Sequence, residues 1–367
     1  MSKRYLLSLL LALGVWFFLT GSPEARQYHY WDLGTFTGLQ PQPGQGEPVG
    51  EALGLNDQGQ IVGWAWIWNA GDNAWEQHAV RWDLATRTSQ DLGAGNNSFA
   101  YSINNLGQIV GMDATGAFFW DPGNQTMQPL ANTLGGTQAC ANKINDQGQV
   151  VGYASDGAEN PLAVSWDPGT HAIHVLGTMG GTQSWANDIN SQGQIVGTSL
   201  TDTDGDVGAY LRDPTSGVLQ PLGSLGGGWS AGQGLNDLGQ VVGWSLTTSG
   251  SVHAFLLPSL QGQMQDLGIL PGNYDYSMAL TLNAQGQIVG ECGLSPNPIS
   301  AFLWTAAKGM QDLNASGLVV NRPAGVSLMR ARAINRCGQL VGITSDYSPF
   351  LLTPIAPLPY LPLLLLD

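Results

Sequence analysis

The sequence predicts an all-β protein: a seven-bladed β-propeller of four-stranded antiparallel blades, closed into a ring by an N-terminal strand. Three observations predict it. One motif occurs seven times, short strand-like segments recur at fixed places between the copies, and one such segment precedes the first copy. The composition agrees, because 51 of the 367 residues are glycine and only 11% are charged, which suits a sheet protein with many tight turns.

The repeated motif sets the period of the chain. Its copies read ALGLNDQGQIVG, AYSINNLGQIVG, ANKINDQGQVVG, ANDINSQGQIVG, GQGLNDLGQVVG, ALTLNAQGQIVG and ARAINRCGQLVG. Successive copies lie 41 to 52 residues apart, which is the usual length of a propeller blade. The asparagines of the seven copies are Asn56, Asn104, Asn145, Asn190, Asn236, Asn283 and Asn335.

Each copy of the motif predicts a β-hairpin. Asn starts turns by bonding its own backbone, and the Gly three residues later supplies the positive φ that closes a short turn. The aliphatic-Val pair that follows indicates a strand buried on both faces. Four residues before Asn stands Ala, or Gly232 in one copy, as expected where innermost strands crowd together.

Two more strands complete each repeat. The third is short and mostly aromatic, at residues 78–82, 117–120, 163–166, 209–212, 254–257, 301–304 and 349–352. A fourth strand follows only six of these, ending at Gly93, Ala131, Gly177, Gly223, Gly268 and Asn314. The missing copy is YWDLG, from Tyr30 to Gly34, ahead of the first hairpin. An open solenoid gains nothing from that strand, whereas a ring can use it to complete the last blade.

These residues resemble the HAF-repeat extracellular proteins. The resemblance rests on the A-x-x-I-N-x-x-G-Q-V-V-G hairpin, the H-A-F-L-W-like third strand and a D-L-G-T-L-G-G-like stretch, and it covers nearly all of the chain after the leader. Its last element stands here as Leu134-Gly135-Gly136, Met179-Gly180-Gly181 and Leu225-Gly226-Gly227. The resemblance implies a secreted repeat protein and assigns no reaction.

The two ends of the chain differ in composition from the repeats. Residues 1–25 have a basic start, an apolar segment and small residues before Ala25, which predicts a cleaved signal peptide; an uncleaved anchor is the alternative. Residues 26–354 form the predicted propeller. The apolar tail, residues 355–367, either covers a blade edge or makes a weak membrane or surface attachment. We therefore expect a monomer that is secreted, extracellular or periplasmic.

Charge and cysteine content narrow the partners. A net charge of −15 excludes nucleic acid as an expected partner, because such binding needs clustered Lys and Arg. The three cysteines, Cys140, Cys292 and Cys337, lack the spacing of a zinc site. The predicted partner is a glycan or a protein, and the framework does not depend on disulfide bonds.

Aromatic residues are the candidate ligand contacts. The loop face of a propeller carries the connections between blades and between second and third strands, and ligands usually meet it there. Rings among Asn, Gln and Gly suit sugar or peptide binding, whereas the alternative is that they fill gaps between blades. The candidates are Trp66, Trp68, Trp75, Trp185, Trp229, Tyr274 and Tyr276.

The segment from Thr201 to Asp206 is a candidate calcium loop. Its carboxylates, Asp202, Asp204 and Asp206, alternate along the chain, and Gly205 lets the loop curl. The distal Glu of an EF-hand is missing, so an acidic hairpin tip without metal is the alternative. Calcium is the one cofactor that the sequence suggests.

Sequence motifs for catalysis are absent. We find no Gly-x-Ser-x-Gly elbow, no phosphate-binding loop and no sialidase-type box, and the five histidines are scattered. His78 and His253 begin third strands, where packing would explain them. We therefore expect a non-catalytic binding module that uses the loop face. A structural or adhesive surface component and an exported hydrolase with a site at the channel mouth are the alternatives.

Overall fold

The computed structural model describes residues 27–39, 49–69, 71–201, 205–294 and 299–355. It confirms a seven-bladed β-propeller, with seven sheets arranged in a ring and no α-helix among the described residues. The predicted signal peptide and residues 356–367 of the predicted tail lie outside the described residues. No helix in the described part of the chain is long and apolar enough to span a membrane.

The strands follow one another in the same order in every blade, from the channel outwards. The N-terminal strand and the first three blades comprise β1 (Tyr28–Asp32), β2 (Gly50–Leu55), β3 (Gln60–Asn69), β4 (Ala74–Asp83), β5 (Thr88–Asp91), β6 (Phe99–Ile103), β7 (Ile109–Asp113), β8 (Gly116–Asp121), β9 (Thr126–Leu130), β10 (Gly135–Ile144), β11 (Val150–Asp156), β12 (Pro161–Trp166) and β13 (Ile173–Val175). Blades 4 to 7 comprise β14 (Ser184–Ile189), β15 (Ile195–Leu200), β16 (Val207–Arg212), β17 (Leu219–Pro221), β18 (Gly226–Leu235), β19 (Val241–Thr247), β20 (Val252–Leu257), β21 (Gln265–Asp266), β22 (Tyr276–Leu282), β23 (Ile288–Gly293), β24 (Ile299–Thr305), β25 (Gly309–Asp312), β26 (Val319–Val320), β27 (Leu328–Ile334), β28 (Leu340–Thr344) and β29 (Pro349–Pro354).

The N-terminal strand closes the ring as the sequence predicts. Strand β1 pairs antiparallel with β29, in register from Tyr28 opposite Pro354 to Asp32 opposite Phe350, and so supplies the fourth strand of blade 7. The strand ends two residues before the predicted Gly34, because residues 33–35 form a 3-10 turn that the Asp32 side chain caps. Strand β26 pairs in parallel with the outer edge of β1.

The hydrophobic core lies between neighbouring blades. One cluster, for example, joins Val62 and Ala79 of blade 1 to Phe118 and Trp120 of blade 2. The aliphatic-Val pairs of the second strands are buried in all seven blades, as their lack of alternation predicts. Every sheet is therefore covered on both faces by its neighbours.

The last Gly of each motif permits the close approach of the first two strands. A Cβ atom at Gly63 would lie 1.9 Å from the carbonyl oxygen of Glu51, and the other blades repeat this contact. Such a separation is far inside van der Waals contact, so any side chain would force the strands apart. The repeated glycines are Gly63, Gly111, Gly152, Gly197, Gly243, Gly290 and Gly342.

Candidate functional site

The seven Asn turns form a closed ring of hydrogen bonds around the channel. In blade 3, Asn145 accepts from the backbone N–H groups of Gln147 and Gln149 and donates to the Gln149 side chain. It also donates to the main-chain oxygen of Asn190 in blade 4, at 3.0 Å. All seven asparagines repeat the bond to the next blade, and Asn335 completes the circuit at the carbonyl of Asn56. These residues build the scaffold.

Each innermost strand carries a β-bulge at one and the same place. The pairing of β2 with β3 slips between Ala52 and Gly54, so that Leu53 is left without a partner opposite it, and each of the other six blades also slips there. A bulge redirects the extra residue and is frequent beside binding sites. The bulge residues are Leu53, Tyr101, Asn142, Asn187, Gln233, Leu280 and Arg332.

All seven bulge residues line one axial cavity of about 470 Å³. Every blade contributes to its wall, so the cavity is enclosed on all sides by the ring and can be entered only along the axis. At Lys143, Asp188 and Thr281 it meets a second cavity, of about 200 Å³, which the Asn turns surround. We call the first the channel cavity, the face carrying the Asn turns the turn face, and the opposite one the loop face.

One side of the channel cavity is aromatic. Trp64 of blade 1 meets Phe99 of blade 2 edge-on, with ring centroids 6.2 Å apart, and Phe99 lies nearly parallel to Tyr101 at 6.0 Å. Burial, followed by the nearby Cys140, Tyr153 and Glu51, raises the pKa of the Tyr101 phenol, which therefore stays protonated. Its hydroxyl has no hydrogen-bond partner within the described residues and can serve a ligand.

Blades 3 to 6 line the cavity mainly with polar groups. Asn142 and Asn187 each donate to a main-chain oxygen of the next blade, which holds their side chains in place. The Gln233 amide and the Thr281 hydroxyl also line the cavity, and in the described part of the chain neither makes a side-chain hydrogen bond. These two groups can exchange hydrogen bonds with a polar ligand.

The charges in the cavity are paired. Arg332 of blade 7 donates from Nε to Glu51 of blade 1 at 2.6 Å, and Lys143 lies 3.6 Å from the Asp188 carboxylate. Asp188 also accepts from the backbone N–H of Leu235 in blade 5 at 2.9 Å. Burial raises the pKa of Asp188, although Lys143 and the backbone donors oppose the shift. Both carboxylates thus link neighbouring blades.

Three predicted aromatic contacts lie on an extended hairpin of blade 1. The sequence interpretation placed Trp66, Trp68 and Trp75 in a loop, and this is wrong, because β3 and β4 each run for ten residues and carry all three rings. Trp68 and Trp75 are paired across the hairpin at 5.5 Å and are half-buried against each other. Trp66 contacts Trp64 edge-on at 6.4 Å, and of these two rings only Trp64 lines the channel cavity.

Of the other four predicted residues, only Tyr274 lies in a loop. Trp185, Trp229 and Tyr276 belong to β14, β18 and β22, because the innermost strands begin earlier than the motif suggests. Trp229 is the most exposed, at 44%, and donates from Nε1 to Asp206. The seven candidates are therefore spread around the loop face and do not form one cluster.

The candidate calcium loop is only partly described. Asp206 is exposed and bonded to Trp229, whereas Asp202 and Asp204 lie outside the described residues. In the part of the chain that the structure covers, no three His, Cys, Asp or Glu side chains come together as metal ligands.

The two histidines of the His-Ala elements lie within third strands and hydrogen-bond to an aspartate of the fourth strand. His78 lies 2.7 Å from Asp91 and 3.0 Å from Glu76, and His253 lies 2.9 Å from Asp266. The same aspartates cap the next turn by accepting from Gly93 and Gly268. Packing, the sequence-based explanation, is therefore incomplete, because the His-Ala and Asp-Leu-Gly elements bind each other.

The sequence interpretation does not include the other residues that form the channel cavity, namely the bulge residues with Trp64 and Phe99. A signal for the bulge residues was present in the repeats. The two positions after the small residue of each motif vary, the first among Leu, Tyr, Asn, Gln and Arg, whereas the small residue before them and the aliphatic-Asn pair after them hardly change. Variation inside an otherwise fixed repeat indicates a position that the fold does not specify.

Comparisons with known proteins support the fold. No family model and no curated protein matches the chain. The extracellular domain of a protein described as a one-component system from B. thetaiotaomicron is 11% identical, with a TM-score of 0.55, over 90% of this chain and 40% of that one. A puromycin-hydrolyzing peptidase from Mycobacterium tuberculosis is 10% identical, also with a TM-score of 0.55, over 81% of this chain and 49% of the peptidase.

These likenesses show the propeller fold alone. The chain spans less than half the length of either structure, and the identities are low. One of the two is an extracellular domain and the other an enzyme, so the shared fold does not distinguish binding from catalysis.

Proposed function

We propose that the protein is a non-catalytic, saccharide-binding propeller that acts as a monomer outside the cytoplasm and holds its ligand in the channel cavity. The observation that carries the proposal is the opposition of an aromatic wall, Trp64, Phe99 and Tyr101, to polar groups in a cavity of about 470 Å³. Small-molecule sites are typically concave and of this size, with a few polar groups that set orientation.

Sugars match both walls. The apolar face of a pyranose packs on aromatic rings, and its hydroxyls exchange hydrogen bonds with amides and hydroxyls. The Gln233 amide, the Thr281 hydroxyl and the Tyr101 hydroxyl supply such groups. The cavity charges are already paired within the protein, which favours a neutral ligand over a charged one.

The enclosure of the cavity limits how a saccharide enters it. Because all seven blades contribute to the wall, a ligand must lie along the ring axis. The middle of a branched or surface-bound polymer cannot lie across such a cavity, but a chain end can. We therefore propose that the protein recognises the ends of saccharide chains.

A glycan array tests the proposal. The chain from residue 26 onwards is applied to an array of immobilised oligosaccharides and, in parallel, to a peptide array. Each array is tested once with calcium and once with a calcium chelator. We expect saturable glycan binding that Tyr101→Ala and Phe99→Ala abolish. Trp75→Ala is the matched control, since it removes a ring on the hairpin outside the channel cavity, and binding should persist.

Other results would redirect the assignment. Glycan binding lost in Trp75→Ala and kept in Tyr101→Ala would move the site to the blade 1 hairpin. Peptide binding alone would favour a protein partner, and dependence on calcium would bring in the loop of Asp202, Asp204 and Asp206. Binding to neither array would favour the structural or adhesive role.

A further inference from the structure

A third cavity, of about 450 Å³, lies between blades 6 and 7. The loop before β22 contributes Tyr274, the turn between β28 and β29 contributes Ser345 and Tyr347, and β27 contributes Met329. Asp312, at the end of β25, also lines it. The residues that line it differ from all those that line the channel cavity, so the two cavities are separate sites.

Tyr347 has an unusual backbone conformation. The turn from Thr344 to Ser348 is closed by hydrogen bonds between these two residues and between Tyr347 N–H and the Thr344 carbonyl. Tyr347 itself has a φ of 62°, in the left-handed region that favours glycine. A bulky residue there costs about 1 kcal/mol relative to glycine.

The same turn occurs in two other blades, which shows what the fold alone requires. In blade 5 the left-handed position is Gly250, with a φ of 86°. In blade 3 it is Glu159, whose carboxylate accepts from the backbone N–H and the hydroxyl of Thr137. The side chain in blade 3 therefore has a structural role, and blade 5 uses no side chain.

No structural role is visible for the Tyr347 side chain. It is 60% exposed and makes no hydrogen bond within the described residues. Strained residues with exposed side chains occur preferentially at binding sites, where the ligand makes use of them. An exposed aromatic ring at the rim of a cavity is such a case.

The cavity chemistry indicates the ligand. Tyr274 is half-buried on the same cavity, and Met329 adds an apolar surface. One oxygen of the Asp312 carboxylate accepts from the Ser300 hydroxyl at 2.6 Å and from Asn314 N–H at 2.8 Å. The other oxygen, Oδ2, has no hydrogen-bond partner in the described part of the chain. Aromatic faces beside a carboxylate acceptor suit the apolar face and the hydroxyls of a pyranose.

We propose that this cavity is a second saccharide site, in which one pyranose unit packs on Tyr347 and Tyr274 and donates hydroxyl hydrogen bonds to Asp312. The ligand class rests on the proposed function, but the site does not depend on the channel cavity. Because both sites belong to the loop half of the ring, two chain ends, or two units of one branched glycan, can be bound together.

The test uses saturation-transfer NMR with methyl pyranosides of glucose, galactose, mannose and xylose as probes. Four proteins are compared: the natural chain, Tyr347→Gly, Tyr101→Ala and the double variant. We expect Tyr347→Gly to weaken binding of at least one pyranoside by about tenfold in the Tyr101→Ala background, the loss expected when an aromatic contact is removed. Glu159→Gly, in the same turn of blade 3, is the matched control and should bind normally.

Tyr347→Gly cannot lose binding by unfolding, because it relieves the backbone conformation; its melting temperature should equal or exceed that of the natural chain. Binding abolished by Tyr101→Ala alone would overturn the second site and leave the channel proposal standing. Binding abolished by Tyr347→Gly alone would do the reverse. No pyranoside binding by the natural chain would overturn both, and binding of tetramethylammonium in place of pyranosides would overturn the sugar assignment.

Discussion

Replacing Asn145 by Asp tests whether the ring of Asn turns holds the propeller together. The substitution changes one amide to a carboxylate of the same shape at a residue that is 6% exposed. The carboxylate still accepts from Gln147 and Gln149. It can no longer donate to the Gln149 side-chain oxygen, 2.8 Å away, or to the Asn190 carbonyl, 3.0 Å away.

The expected cost follows from these four contacts. Each acceptor left unpaired costs about 1–3 kcal/mol, and charge on the retained acceptor returns about 1 kcal/mol. We therefore expect Asn145→Asp to lower the free energy of unfolding by about 3 kcal/mol at pH 7. At about 1–2 °C per kcal/mol for a domain of this size, the melting temperature should fall by about 4 °C.

Two comparisons make the assay specific. Gln147→Ala lies in the same turn but removes an exposed side chain, and it should change the melting temperature little. Below about pH 4 the new carboxyl is protonated and can donate one hydrogen bond, so the difference from the natural chain should narrow by about 1 kcal/mol. If Asn145→Asp and Gln147→Ala have the same melting temperature at pH 7, the ring of Asn turns does not stabilise the propeller.

Three more predictions concern the closure and the ion pairs. Tyr30→Ala removes a buried ring of the closing strand and should lower the free energy of unfolding by about 3–5 kcal/mol. Amide hydrogen exchange should become faster in blade 7 alone, and faster exchange in all blades would contradict a local role of the closing strand. Arg332→Gln leaves Glu51, 8% exposed, without its cation and should cost about 3–5 kcal/mol by denaturant unfolding, whereas a cost below about 1 kcal/mol would contradict the pairing. Burial lowers the pKa of His78, but hydrogen bonds to its two carboxylate partners outweigh burial, so the pKa in the folded state is raised. Protonated His78 therefore stabilises the fold fully below about pH 6.5, and this stabilisation is lost as the pH rises through the folded-state pKa. His78→Gln should flatten the change of melting temperature with pH over that range, and an unchanged slope would contradict the pairing.

The sequence contained enough to predict the fold because the repeats constrain one another. A closed ring of blades explains three features together: the seven Asn-x-x-Gly turns, the aliphatic-Val pairs and the additional strand at Tyr30. What the repeats did not reveal is the bonding between blades. The donation from Asn145 to the Asn190 carbonyl joins residues 45 positions apart, and no local preference encodes it.

The candidate site was harder to predict for a physical reason. The sequence predicts Trp66 and Trp68 as ligand contacts in a loop, but β3 continues through both residues, and β-propensity does not show where a strand ends. Tyr101 and Gln233 reach the cavity through a bulge, and bulges follow from register between strands. A slip of one residue changes the face on which a side chain lies, so the variable position of the motif does not by itself show that its side chain faces the channel.

The bulges place one residue of every blade at the ring axis. Leu53, Asn142 and Arg332 occupy equivalent places in three blades, although one is aliphatic, one an amide and one a cation. Within the described ranges, the side chains of Leu53, Tyr101, Gln233 and Leu280 make no hydrogen bond to another blade, so substitutions there can accumulate one at a time while the sheets, turns and blade contacts persist. Asn142, Asn187 and Arg332 also bond to the neighbouring blade, so substitutions at these positions remove a blade contact. The propeller is in this sense a combinatorial scaffold, on which a lineage or a designed library can explore new specificities without having to evolve a new fold.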